Sequence, residues 1–309
     1  MSSPLREKRV RSSGGALLHV EVHGPDDGPT VVLSHGWTCS TRFWEPVLRE
    51  LPPGLRVVTY DQRGHGRSSV TGPMGYSTTA LADDLCAVLE ACVPAGSRAV
   101  LAGHSMGGMT IMAAADRPVV RERAAAALLA STGASRLMPE LLVLPGAGRA
   151  ARLREFGHRV LLSAPLPLGP VTPLSRALLR YGTMGRGCSP EAADLCARIV
   201  QACPPRVRSR WAHVLGTLDV ERTARQLDLP TVVLVGTADR LTPPVHSRRL
   251  AELLPRGGEP IALPGIGHMT PLEAPDRVAG IIADLVTHHL RDEDPHDPDL
   301  GAQRTENAA

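Results

Sequence analysis

The strongest constraint on the fold is an alternation that runs through most of the chain. Seven short apolar runs, "LLHVEVHG" (17–24), "TVVLSHG" (30–36), "LRVVTYD" (55–61), "AVLAGHS" (99–105), "AAALLAST" (125–132), "TVVLVGTAD" (231–239) and "EPIALPG" (259–265), are separated by stretches of helical period. Leu81, Leu85, Val88 and Leu89 form one apolar stripe, and Val278, Ile281, Ile282 and Leu285 form another. Continuous apolar strands alternating with amphipathic helices predict an α/β fold whose largely parallel sheet is covered on both faces. "GPDDGP" (24–29) carries Asp-Gly turn chemistry and predicts an antiparallel hairpin between the first two runs.

The alternation stops between about residues 133 and 217, where "LPGAG", "APLPLGPVTPL" and two helical stretches appear without a strand. This predicts a helical cap at 133–217 inserted into a core formed by 1–132 and 218–290. Within it stand 12 Arg against Glu140, Glu155, Glu191 and Asp194, a pattern that fits either a solvated face or a site for an anionic group. Leu141, Leu142, Leu144, Leu161 and Leu162 could line an apolar substrate pocket or form the cap's own small core. The last 19 residues are acidic and poor in apolar side chains, which predicts a disordered tail at 291–309.

Charge and cysteine usage narrow the function classes. Lys+Arg 34 against Asp+Glu 31 leaves no broad basic field, so no nucleic-acid partner is expected. No apolar run reaches signal or membrane-spanning length, which predicts a cytoplasmic protein without a membrane span. The six cysteines contain no C-x-x-C pair and are read as buried free thiols. No histidine pair has convincing metal spacing, so no metal is expected. "GAGRAA" (146–151) mimics a dinucleotide fingerprint, but it follows a proline and has no acid about 20 residues on. No cofactor is expected either.

Gly103-His104-Ser105-Met106-Gly107 matches G-x-S-x-G and lies between the apolar run "AVLA" and the helical "GGMTIMAAAD". At that junction the motif raises a serine on a strained turn, and small residues on both sides let strand and helix approach. Serine needs a base, and the base needs an orienting acid. Among 12 histidines, His268 alone stands on a glycine-flanked loop directly after the final run; His246 falls inside a helix, and His288 and His289 lie at a helix end. Asp239 lies between Ser105 and His268 in sequence and at the carboxyl end of a run, whereas Asp219 and Asp228 precede that run. The candidate catalytic set is therefore Ser105, Asp239 and His268. The backbone N–H groups of Met106 and Trp37 are the candidate oxyanion donors. His35 is read as a structural residue that bonds loop carbonyls.

Taken together, "SHGW", "YDQRGHGRS", "GHSMGG", "GTADRLTPP" and "GIGHMTPLEAP" resemble the α/β-hydrolase superfamily, in its capped branch of esterases, monoacylglycerol lipases and cofactor-free haloperoxidases or perhydrolases. The likeness covers roughly residues 8 to 290 and is weakest in the cap. It implies an eight-stranded sheet with its second strand antiparallel, and it implies that Asp61 and Arg63 brace loops near the site. Serine at position 105 sets the chain apart from epoxide hydrolases and haloalkane dehalogenases, which use aspartate there. The expected function is cleavage of a carboxylic ester of a small or medium apolar acyl substrate through an acyl-enzyme. Thioester cleavage, C–C hydrolysis, perhydrolysis and acyl transfer would use the same triad, and a non-catalytic ligand-binding protein would use the same fold.

Overall fold

The computed structural model describes residues 6–143, 155–158, 163–166, 169–170 and 172–290. The tail at 291–309, the "GAGRAA" segment, Leu144, Leu161 and Leu162 lie outside the described residues.

Eight strands form one sheet: β1 (Arg6–Arg11), β2 (Leu17–His23), β3 (Thr30–Ser34), β4 (Arg56–Tyr60), β5 (Ala99–His104), β6 (Ala124–Ala130), β7 (Thr231–Gly236) and β8 (Ile261–Leu263), in the order β1-β2-β4-β3-β5-β6-β7-β8. β2 is antiparallel to both of its neighbours, and every pairing from β4 to β8 is parallel. All residues of β3, β5 and β6 are buried. Their side chains still alternate: Val31, Leu33, Val100, Ala102 and Leu128 enter one core layer, while Val32, Leu101, Ala127 and Leu129 enter the other. The first layer is closed by α1 (Glu45–Glu50) and by α9 (Pro275–Leu290), which buries Val278 and Ile282. The second is closed by α2 (Thr78–Cys92), which buries Leu81, Leu85 and Leu89, by α3 (Met106–Ala113) and by α4 (Pro118–Arg123), which buries Val120.

One expectation is corrected. The "GPDDGP" turn does not close a hairpin, because β4 lies between β2 and β3. The turn instead packs on the start of β4: a Cβ at Gly24 would stand 2.0 Å from the Leu55 carbonyl oxygen, and one at Gly28 would stand 2.2 Å from that of Gly54. The hairpin at this edge joins β2 to β1 through Ser13–Gly15, with φ of 63° at Gly14 and 74° at Gly15. β1 had no counterpart among the seven apolar runs, since "REKRVR" exposes nearly every side chain and buries only Val10. A charged edge strand of this kind discourages pairing with another chain.

Between β6 and β7 the described residues form helices: a short turn at Leu137–Glu140, then α5 (Pro173–Thr183), α6 (Pro190–Ala202) and α7 (Pro205–Gly216). α7 sits on the loop after β4, where the Trp211 indole donates to the Arg63 carbonyl at 3.1 Å and Arg210 donates to the Thr71 carbonyl at 2.8 Å. α8 (Pro244–Leu253) follows β7. Among the described residues no helix is long and apolar enough to cross a membrane.

Candidate active site

Ser105 stands between β5 and α3 with φ 52° and ψ −116°, a left-handed conformation unusual for a non-glycine residue. Backbone close to it on every side holds that strain. The Ser105 N–H donates to the Ala130 carbonyl in β6 at 2.9 Å, and its own carbonyl accepts from the Thr132 hydroxyl at 2.8 Å. A Cβ at Gly103 would stand 2.5 Å from the Gly107 carbonyl, and a Cβ at Gly107 would stand 2.0 Å from that of Ser34 in β3. Both glycines of the motif are therefore required by contact, as the turn argument predicts.

Asp239 and His268 meet at the carboxyl ends of β7 and β8. The Nδ1 of His268 lies 2.9 Å from Oδ2 of Asp239, with both side chains buried. Asp239 is fixed by its own following turn: Oδ1 accepts from the N–H groups of Leu241 (2.8 Å) and Thr242 (2.9 Å), and Oδ2 accepts from the Thr242 hydroxyl (2.9 Å). With Nδ1 directed at this carboxylate, Nε2 is the nitrogen left for another partner. The backbone of His268 is held at both polar atoms. Its N–H donates to the Thr183 carbonyl at 2.8 Å, and its carbonyl accepts from Nε2 of His104 at 2.8 Å. The His104 and His268 rings lie 4.9 Å apart, so the residue preceding Ser105 touches the candidate base directly. The Ser105 hydroxyl itself has no hydrogen-bond partner among the described residues.

The loop after β3 lies against the serine turn. A Cβ at Gly36 would stand 2.7 Å from Nδ1 of His104 and 3.2 Å from Cβ of Ser105. The N–H groups of Trp37 and Met106 have no acceptor among the described residues; Met106 opens α3, where no intrahelical partner exists. Thr38 has φ 65°, a costly value for a β-branched residue. Its N–H donates to Nε2 of His65 at 3.1 Å. His35 bonds the Gly36 carbonyl through Nδ1 at 2.7 Å and accepts from the Gln62 N–H at Nε2. Burial lowers the pKa of His35 to about 4 and that of His65 to about 3, so both stay neutral near pH 7. Asp61 accepts from the N–H groups of Thr41 and Arg67 at 2.8 Å, and Arg63 forms a buried two-pronged pair with Asp84. These four residues brace loops.

The residues found only in the structure are His104, Thr183, Thr242 and Glu273. The threonine of "ADRLTPP" has a local signal as the third residue after the Asp that opens the turn, but Thr183 acts through its carbonyl and leaves no trace in composition. Six of the insert's arginines are already engaged. Arg136, Arg176 and Arg198 pair with acids, and Arg180, Arg208 and Arg210 donate to carbonyls. At the far edge of the sheet, ligand atoms of Glu7, His19 and Glu21 converge within 4.8 Å, a grouping that histidine spacing did not suggest. Arg67 bridges the two carboxylates there.

A model of the alpha/beta hydrolase family matches residues 31–281. RutD of Variovorax paradoxus, named as a candidate carbamate hydrolase, is 31% identical over 264 residues, covering 78% of this chain and 88% of its own. The bifunctional esterase/perhydrolase DCH of Acinetobacter calcoaceticus is 26% identical over 275 residues, covering 85% and 93%. Among solved structures, a thermophilic esterase from Thermogutta terrifontis superposes with a TM-score of 0.73 at 24% identity, covering 92% of this chain and 98% of its own.

Proposed function

Because the chain belongs to the alpha/beta hydrolase family, we propose that it is a serine hydrolase that cleaves carboxylic esters of small or medium apolar acyl groups through an acyl-enzyme on Ser105. The observation that carries this reading is the 2.9 Å contact between Nδ1 of His268 and Asp239, with the His268 ring 4.9 Å from that of His104, the residue before a serine raised on a strained turn. Nε2 of His268 takes the Ser105 proton as Oγ attacks the acyl carbon. The carbonyl oxygen becomes an oxyanion that the Trp37 and Met106 N–H groups stabilise. His268 returns the proton to the leaving alcohol. It then draws a proton from water, whose oxygen attacks the acyl carbon, and the acid leaves as Ser105 is restored. Asp239 holds the ring in the tautomer that this sequence requires. The helices between β6 and β7 act as a cap over the acyl pocket.

Likeness to RutD favours a second reading in which the attacked carbonyl belongs to a carbamate. One experiment tests both: fluorophosphonate labelling alongside turnover of p-nitrophenyl esters of rising chain length and a p-nitrophenyl carbamate. The expected result is labelling and ester turnover, with kcat lost by a factor on the order of 10³ or more in Ser105→Ala. Preference for the carbamate would select the second reading. Labelling that survives Ser105→Ala would overturn both.

A further inference from the structure

We propose that Glu273 is a positioning residue for His268, acting by tying the base's loop to the turn that ends α5. The inference rests on reading His268 as the general base. Glu273 ends a short helical turn, Thr270–Glu273, and is partly buried. Its Oε2 accepts from the Gly185 N–H at 2.7 Å, and both carboxylate oxygens lie 3.1 Å from the Gly267 nitrogen. Gly267 directly precedes His268, and Gly185 stands two residues after Thr183, whose carbonyl takes the His268 N–H.

Two chain segments far apart in sequence thus meet back to back with nothing between them. A Cβ at Gly267 would stand 2.4 Å from the Met184 carbonyl carbon, and a Cβ at Gly185 would stand 2.0 Å from the Gly265 carbonyl oxygen. At such an approach the amides of Gly185 and Gly267 converge on one point, and two N–H donors there need an acceptor that offers oxygen to both. A carboxylate does so. A glutamine whose oxygen takes the place of Oε2 still accepts from both donors but sets its own N–H₂ against the Gly267 N–H, and an alanine leaves both without the partner they have here. Both Glu273 carboxylate oxygens are taken by backbone N–H groups, and among the described residues none of its hydrogen bonds reaches the imidazole, so its effect passes through the placement of the ring. A shift of about 1 Å in a catalytic group costs on the order of 10²-fold in rate.

The test measures kcat and KM with a p-nitrophenyl ester in Glu273→Ala, Glu273→Gln and Gly185→Ala, with active sites counted by phosphonate titration. Gly185→Ala leaves the carboxylate intact and forces the two backbones apart. Per titrated site, kcat is expected to fall about 100-fold in Glu273→Ala and about 10-fold in Glu273→Gln, with KM within about twofold of wild type. Gly185→Ala should also lower kcat, and the double variant Gly185→Ala/Glu273→Ala should be no worse than its worse parent. A merely structural role would reduce the number of titrated sites and leave kcat per site unchanged; that result, in the isosteric Glu273→Gln if Glu273→Ala does not fold, would overturn the proposal. A wild-type chain that neither labels nor turns over would instead overturn the reading of His268 as the base, and this inference with it.

Discussion

The serine turn and the histidine loop are held in place by different means. Ser105 is fixed by neighbours in the sheet, with β3, β5, β6 and α3 in close backbone contact, glycines where no side chain fits, and one side-chain bond from the Thr132 hydroxyl. His268 is fixed by partners drawn from the whole length of the chain: His104, Thr183, Asp239, Thr242 and Glu273. Formation of the core therefore places the proposed nucleophile as a matter of course. The proposed base depends in addition on a turn of the β6–β7 insert, which can change without disturbing the sheet. Steric change should be most damaging on the first side, and loss of a polar contact on the second.

The largest effect should come from adding a methyl group to each side. In Gly107→Ala the new Cβ meets the Ser34 carbonyl oxygen at 2.0 Å and its carbon at 2.5 Å, both in a central strand that cannot yield. The expected loss exceeds about 3 kcal/mol, read from urea unfolding, together with loss of phosphonate labelling. In Gly267→Ala the new group meets Met184 and Gly185, which belong to a peripheral turn. There the expected cost is about 1–2 kcal/mol with labelling slowed but retained. Equal losses at the two positions would break the comparison.

An acid titration separates the two sides next. His35 and His65 brace the loops beside Ser105, and burial holds them down at about 4 and about 3. His246, in α8, is likewise lowered by burial to about 4. All three have an ordinary value of 6.5, so below that pH the unfolded chain binds protons that the folded chain refuses. Stability is complete above pH 6.5 and falls as pH drops through the window towards these lowered values. Glu21 acts in a different window. Burial opposes its ionisation, but the nearby His23 imidazole, hydrogen bonds with His19 and from Thr41, and the charge of Arg67 hold it at about 2, so its contribution is complete above 4.5 and fades only below. Between pH 6.5 and 5 the urea midpoint should therefore decline through the histidines, and the decline should be shallower in His35→Gln/His65→Gln. An unchanged slope in that variant would assign the acid sensitivity to groups elsewhere.

The same asymmetry explains what could be read from the sequence. G-x-S-x-G is a local signature because the serine turn is local: steric need at Gly103 and Gly107 is written at those positions. Asp239 and His268 could be selected by their place after apolar runs, since parallel strands present their carboxyl ends together. β1 was not legible because an edge strand with one buried residue carries no hydrophobic period. The position of β2 beyond β4 was not legible either. Turn residues at 24–29 specify a reversal of the chain, while the neighbour of each strand is decided by non-local packing. Glu273 and Thr183 stayed hidden because one acts on two backbone amides and the other through a carbonyl.

The smallest predicted effect tests how much of the insert the base depends on. α5 opens with a capping box in which the Thr172 hydroxyl accepts from the Ser175 N–H at 3.1 Å and the Ser175 hydroxyl accepts from the Thr172 N–H at 2.9 Å. The helix exposes Leu174, Leu178 and Tyr181, so packing contributes little at its start and the cap matters more than usual. Thr172→Ala should cost the helix about 1 kcal/mol and fray its first turn. The contact with His268 lies at the other end, where Thr183 and Gly185 are held by the base loop itself and by Glu273. Fraying should therefore fade before it reaches them, leaving kcat within about twofold while hydrogen exchange quickens only in the first turn of α5. A fall in kcat comparable with that of Glu273→Gln would mean that the base is held by the helix as one rigid body rather than by its last turn, and would move the dividing line of the comparison from residue 183 to residue 172.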